Sequence, residues 1–235
     1  SILADNGYNE VNVCMAYMQW ANSGTWVMGR NTKALFKGVK TYSGYLKRRE
    51  KIAATQSNGA LMRCTPLVLL PDNEAVIKDA MLTNPDPVCI DCNLIYITCL
   101  RYILAGVDRH QLLDLLLPLA QTVEVTNVIM EAYATKRNIS TMKGWCLHAL
   151  WCALYVINST MTYTEAMRFI ITIPTSDTDT NACIAGALLG AYYGYDQLST
   201  EQQYNIDVIT GKYGKLDNDY MPYDFEQLMS TIADL

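Results

Sequence analysis

The sequence predicts an all-α protein, and three observations carry that reading. Apolar residues recur at helical spacing along almost the whole chain, and the strict alternation of a half-buried strand is hard to find. Breakers divide the periodic segments at Ser23-Gly24, Pro71-Asp72-Asn73, Thr83-Asn84-Pro85, Gly106 and Pro174. Helix-start residues stand where the segments open: Asp72 or Asn73 precede Glu74, and Thr162 with Glu165 has capping-box spacing. The elements expected in order are Glu10–Asn22, Thr32–Lys47, Gly59–Leu69, Glu74–Leu82, Pro87–Ala105 and Arg109–Ala120. After these come Gly144–Asn158, Tyr163–Ile170, Thr180–Tyr193, Thr200–Ile206 and a last helix near Tyr223–Ala233. No internal repeat, low-complexity tract or long polar linker interrupts them, so one compact domain over 1–235 is the expected organisation.

Composition narrows the function classes. Hydrophobic residues make up 51% and charged residues 17% of the 235, which is a globular balance. Net charge is -5, from 18 Lys and Arg against 23 Asp and Glu, so no basic excess points to a nucleic-acid surface. The one basic run, Lys47-Arg48-Arg49-Glu50-Lys51, reads as a solvated helix end. No basic start followed by an apolar core opens the sequence, and Cys14, Cys64, Cys99, Cys146, Cys152 and Cys183 lie in apolar helical segments. A reduced, cytoplasmic setting is the expectation. The most apolar stretches, Cys146–Ile157 and Ala182–Tyr193, fall short of the ~20 residues a spanning helix needs, so no membrane partner is expected.

Five consecutive oxygen-bearing side chains, Ser176-Asp177-Thr178-Asp179-Thr180, open a helix of another composition. In it Ala182, Gly186, Gly190 and Gly194 are four apart and form a face nearly without side chains, which suits close backbone approach. Each interior Gly costs roughly 1 kcal/mol relative to Ala, so that approach must compensate. The spacing leaves two readings open. Asp177 and Asp179 can cap the helix, aided by the dipole. Alternatively two carboxylates and a hydroxyl make part of a hard-cation site for Mg²⁺, Ca²⁺ or Mn²⁺. An EF-hand is excluded, because the sixth position from Asp177 is Ala182 and the twelfth is Leu188.

With the helix that follows, Asp177-Thr178-Asp179-Thr180-Asn181-Ala182 resembles the C-terminal metal motif of the ADP-ribosylglycohydrolase family. That family includes dinitrogenase-reductase-activating glycohydrolase and the ADP-ribosyl-acceptor hydrolases. Ser57-Asn58-Gly59-Ala60-Leu61-Met62-Arg63, before Pro66, is similar to the family's substrate loop. Gly144-Trp145, leading into His148-Ala149-Leu150-Trp151, resembles the helix before the acidic motif. Weaker similarity covers Tyr17–Leu35 through Trp20, Gly24, Gly29 and Thr32. The resemblance implies a compact orthogonal multi-helix domain with two Mg²⁺ ions at the mouth of a cleft. It implies a Mg-dependent hydrolase acting on ADP-ribose linked to a protein side chain, or on a related conjugate. Asp177, Asp179 and Thr180 would be metal ligands. Ser57, Asn58, Gly59, Ala60, Met62 and Arg63 would bind substrate, with Trp145 lining the cleft and Asn84 at a position where the family commonly has His. Asn can hydrogen-bond but carries no positive charge.

A family Thr-Asp-Asp-Thr motif and its catalytic carboxylate are not found in this sequence, and Ser1-Ile2-Leu3 reads like the end of a helix. The expectation is therefore an N-terminally incomplete, monomeric domain, inactive alone. The competing expectation is a non-catalytic family member that binds ADP-ribose or serves structurally. Rival signals are weaker. Cys89-Ile90-Asp91-Cys92 has half-zinc spacing without a second pair. His148 reads as a core residue and His110 as a surface one, and two His give little support to a nucleophilic triad. The 16 Tyr and 11 Met read as core and cleft lining.

Overall fold

The computed structural model describes residues 7–24, 28–134 and 137–207, and these are helical throughout, with no named strand among them. The expected helix near Tyr223–Ala233 lies outside the described residues. The chain divides into two compact units, with the divisions after Ala53 and after Leu198.

In the first unit lie α1 (Glu10–Asn22), α2 (Arg30–Phe36) and α3 (Tyr42–Arg49). Asn9 and Thr41 cap α1 and α3, accepting from the Asn12 and Gly44 N–H groups at 3.0 and 3.1 Å. One helix was expected over Thr32–Lys47, but two form. Gly38 takes a left-handed φ of 76°, and the Asn22 side chain holds the break by accepting from Gly38 N–H at 2.7 Å. Asn22 also donates to the Phe36 and Val39 carbonyls. The basic run does end α3, as expected.

The second unit contains α4 (Glu74–Thr83), α5 (Pro87–Leu104), α6 (Arg109–Leu116), α7 (Val123–Ala134), α8 (Cys146–Asn158), α9 (Tyr163–Ile171) and α10 (Thr178–Tyr193). The last described helix, α11 (Thr200–Asp207), belongs with the first unit. Helix α8 is the centre of the larger unit: Trp151, Leu150, Leu154 and Ile157 are buried, and α5, α6, α7 and α10 pack on it. Each fully buried side chain of this size contributes about 1.5–3 kcal/mol. Asp86 caps α5 ahead of Pro87, accepting from Val88 N–H at 2.9 Å, and Pro at the first helical position loses no hydrogen bond. The Thr162–Glu165 capping box on α9 is complete in both directions.

Four boundaries differ from the expected ones for physical reasons. Gly59–Leu69 is not an α-helix but two 3₁₀ turns, Leu61–Arg63 and Thr65–Leu69. Pro66 lacks an N–H, and the Gly59 carbonyl accepts from the Arg63 guanidinium instead. Helix α6 stops at Leu116 and continues as a 3₁₀ turn, Leu117–Leu119, because Pro118 has no N–H to carry the α-helical ladder on. Helix α8 begins at Cys146, after Gly144 at φ 74°. Helix α10 begins at Thr178, two residues before the expected start. Sequence reading also missed α7, whose start is organised at long range. Asp91 of α5, only 1% exposed, accepts from the N–H groups of Gln121 and Thr122 and from the Thr122 hydroxyl.

Two apolar features turn out differently from their sequence reading. Pro87–Leu104, not the two shorter stretches, is long and apolar enough to cross a membrane by composition, yet 67% of it is buried inside the fold, as in a core helix. On α10, Ile184, Ala185, Leu188 and Leu189 are buried, whereas the small-residue face is half-buried. There Gly186 alone approaches other groups closely: an added Cβ would stand 3.3 Å from the Tyr163 hydroxyl, and none lies within 4 Å at Gly190. Of the cysteines, Cys183 is exposed and the other seven are buried free thiols.

Candidate active site

Three of the sequence motifs meet within the second unit. The loop before the first 3₁₀ turn runs antiparallel to the chain leading into α8, with an isolated bridge between Ser57 and Trp145. Asn58 N–H donates to the Gly144 carbonyl at 2.7 Å, and Cys146 N–H donates to the Gln56 carbonyl at 2.9 Å. The acidic turn joins them through one side-chain bond. Asn58 Nδ2 donates to Asp177 Oδ2 at 2.7 Å, across 119 residues of sequence. Gly144 is required by its backbone, with φ 74°; an added Cβ would make ordinary contacts at 3.5 Å from Asp177 Oδ2 and 3.6 Å from Asn58 Oδ1.

Behind the loop lies a dense polar network. Arg63 Nε pairs with Asp79 Oδ2 at 3.0 Å, while its Nη1 donates to Gly59 O at 2.6 Å and to Thr83 Oγ1 at 2.9 Å. Its Nη2 donates to Asp79 O at 2.7 Å. Thr83 Oγ1 in turn donates to Asn84 Oδ1 at 2.8 Å. Asn84, 0% exposed, donates through Nδ2 to the Thr55 and Ser57 carbonyls and to both of their hydroxyls. Arg63 and Asn84 were grouped with substrate contacts on the sequence; in the fold they hold the loop from behind. Ala60 is also fully buried, whereas Met62 is exposed and Ser57 and Gly59 are half-buried.

Trp145 is half-buried and gripped at its edge and on its face. Its Nε1–H donates to Gln56 Oε1 at 2.9 Å, and the Gln56 amide donates to Asp86 Oδ1 at 3.2 Å. The Arg137 guanidinium, itself paired with Glu131, lies over the indole 5.4 Å from its centroid. His148 packs edge-on to the indole at 5.0 Å and is buried, in agreement with its sequence reading as a core residue. Burial, with the nearby Arg137 cation, pushes its pKa down to about 4, so it is neutral at neutral pH. Cys89 Sγ approaches Cys146 Sγ at 3.5 Å, and this contact, with burial, pushes the Cys89 thiol up. These thiols are protonated and inert.

The acidic turn is built for display. Thr175 holds a left-handed φ of 60°, unusual for a β-branched residue, and its hydroxyl donates to the Ser140 carbonyl at 3.1 Å. Ser176 is buried and donates to the Ile173 carbonyl at 3.1 Å. Asp177 stands at the N-cap of α10 but makes no side-chain cap bond; Asp179 is exposed and Thr180 half-buried in the first turn. The turn is anchored from inside the fold, because Tyr96 of α5 donates to the Ile184 carbonyl of α10 at 2.9 Å. Asp177, Asp179 and Thr180 supply oxygen donors of the hard type that suits Mg²⁺. Among the described residues, no three His, Cys, Asp or Glu side chains are grouped to hold a metal ion. By donor chemistry alone, these three side chains are of the kind found in part of a hard-cation shell.

A sequence model of the ADP-ribosylglycohydrolase family matches residues 1–212. The chain belongs to the ADP-ribosylglycohydrolase family. It is similar to a protein of Acanthamoeba polyphaga mimivirus named as an ADP-ribosyl glycohydrolase, with 25% identity over 222 residues, covering 82% of this chain and 67% of that one. It shares its fold with a solved structure of an ADP-ribosylglycohydrolase-related protein complex, at a TM-score of 0.71 and 23% identity, covering 85% of this chain and 69% of that chain. The all-α fold expected from helical spacing is thus the fold of this family. Family membership makes the protein an ADP-ribosylglycohydrolase-type hydrolase.

Two residues of this ADP-ribosylglycohydrolase site were not singled out for a role by the sequence reading. Gln56 carried no signal, being one polar residue before the loop motif. Gly144 was quoted within a motif but given no role, although a Gly two residues before an apolar helix is a recognisable mark of left-handed backbone.

Proposed function

We propose that the protein is a Mg²⁺-dependent hydrolase that cleaves the glycosidic bond joining ADP-ribose to a protein side chain or a related conjugate. The observation that carries this reading is the placement of Asp177. A carboxylate at a helix N-cap that leaves the cap unmade, and is bonded to the Ser57–Arg63 loop instead, is presented for another use. Asp179 and Thr180 stand in the first turn that follows as further oxygen donors. A bound Mg²⁺ there would supply positive charge that holds ribose hydroxyls in place and orders a water beside the anomeric carbon.

The chain's own groups then have defined tasks. Ser57 and Gly59, on a loop immobilised by Asn84 and Arg63, form a fixed wall for the ribose and phosphates. Trp145, locked by Gln56 and Arg137, gives an apolar wall that limits water. Immobilised walls keep the anomeric carbon in one orientation, which lowers the entropic part of the barrier. Carboxylates close to that carbon favour the oxocarbenium character that develops as the bond breaks. The buried free thiols suit a reducing, cytoplasmic compartment.

Incubating the intact gene product with arginine-linked and serine-linked ADP-ribosylated proteins in Mg²⁺ should release free ADP-ribose, and chelation should stop the release. No release from either substrate would sink the proposal. A second reading, a non-catalytic binder of ADP-ribose, is favoured by the incomplete metal shell among the described residues. It expects ADP-ribose to bind, measured by calorimetry, with no hydrolysis of either substrate.

A further inference from the structure

Asp177 occupies a position where a carboxylate ordinarily accepts from the second or third N–H of its helix, a bond contributing ~1 kcal/mol. It makes no such bond. Two features turn it away. Thr175 at φ 60° redirects the chain two residues earlier. Asn58 then engages Oδ2 at 2.7 Å, the short distance expected when the acceptor is charged.

Resting on the metal reading above, we infer that Asn58 is a positioning residue: its amide orients the Asp177 carboxylate towards a divalent cation and is not a contact to substrate. Asn58 is only 7% exposed, so water competes weakly for its bond. Its other duties are met by backbone. Asn58 N–H donates to Gly144 O at 2.7 Å, and Asn58 O accepts from Met62 N–H at 3.0 Å. The loop therefore keeps its conformation without the side chain, and one task remains for that side chain. Groups that orient a metal ligand from behind tune affinity by about 10–100-fold when removed.

The test compares the wild type with Asn58→Ala, Asp177→Ala and Asp177→Asn by calorimetric Mg²⁺ titration without substrate. Melting temperatures confirm folding. The expected result is Mg²⁺ binding about 10–100-fold weaker in Asn58→Ala, with kcat on an ADP-ribosylated protein restored by proportionately more Mg²⁺. In the Asp177→Asn background, Asn58→Ala should add no further loss. If Asn58→Ala does not fold, Asn58→Ser, a smaller truncation of the same contact, should show the same weakening. Wild-type Mg²⁺ affinity in a folded Asn58 variant whose substrate KM rises would overturn the inference and return Asn58 to the substrate wall. Equal Mg²⁺ binding in wild type and Asp177→Ala, or none in either, would overturn the metal reading itself and the inference with it.

Discussion

The two halves of the candidate site are built in opposite ways. The Ser57–Arg63 loop is held from behind by Arg63, Asp79, Thr83 and Asn84, nearly all of whose polar groups face inward. The Thr175–Thr180 turn is more open, with Asp179 exposed and Asp177 and Thr180 half-buried, and it touches the loop through the Asn58–Asp177 bond. A surface that must hold a flexible diphosphate conjugate gains from a stiff wall. A group that must meet a cation needs an accessible carboxylate. Substitutions on the loop side should therefore register in stability, and substitutions on the acidic side in chemistry.

The largest expected effect is on the acidic side. Asp177→Ala should lower hydrolysis of an ADP-ribosylated protein by about 10²–10³-fold while leaving the melting temperature nearly unchanged. A large fall in melting temperature would erase the contrast between the halves. On the loop side, Arg63→Met leaves Asp79 with its carboxylate 3% exposed and without its ion pair, and urea unfolding should show a loss of about 3 kcal/mol. Asn84→Ala removes the buried amide that the half-buried Thr55 and Ser57 carbonyls accept from and should cost about 1–3 kcal/mol by the same measurement. A loss of activity at unchanged stability in Asn84→Ala would show that the side chain meets substrate after all.

A smaller effect reads the wall around Trp145. His148 has a pKa pushed down to about 4 in the fold, from an ordinary value near 6.5. The unfolded chain therefore takes up a proton first as pH falls. The resulting stability is fully present above about pH 6.5 and is lost progressively towards pH 4. In His148→Gln the melting temperature should fall less steeply over that window than in wild type, and parallel curves would remove His148 as the cause.

Helix identity was readable wherever the signals were local. Glu10–Asn22 matched to the residue, and the Thr162–Glu165 box and the Asp86–Pro87 start appear as their sequence implies. What escaped was organised at a distance. The start of α7 rests on Asp91, 30 residues earlier, and its Val123, Val125, Thr126, Val128 and Ile129 give a β-branched run with no clear helical preference. The candidate site divides the same way. Asp177, Asp179 and Thr180 announce themselves by residue type, and the loop motif by resemblance. That Asn84 bonds the Thr55–Ser57 segment, and that Asn58 grips Asp177, depends on folding that spacing does not encode.

The left-handed Thr175 has a consequence for how this turn can change. Glycine there would relieve a backbone penalty of about 1–2 kcal/mol, and selection for robustness alone would favour it. It would also lose the hydroxyl bond to Ser140 and allow the turn many conformations, of which few would aim Asp177 at Asn58. A heat-selected library at position 175 and an activity-selected one should therefore diverge, the first enriching Gly and Asn and the second keeping residues that hold the aim.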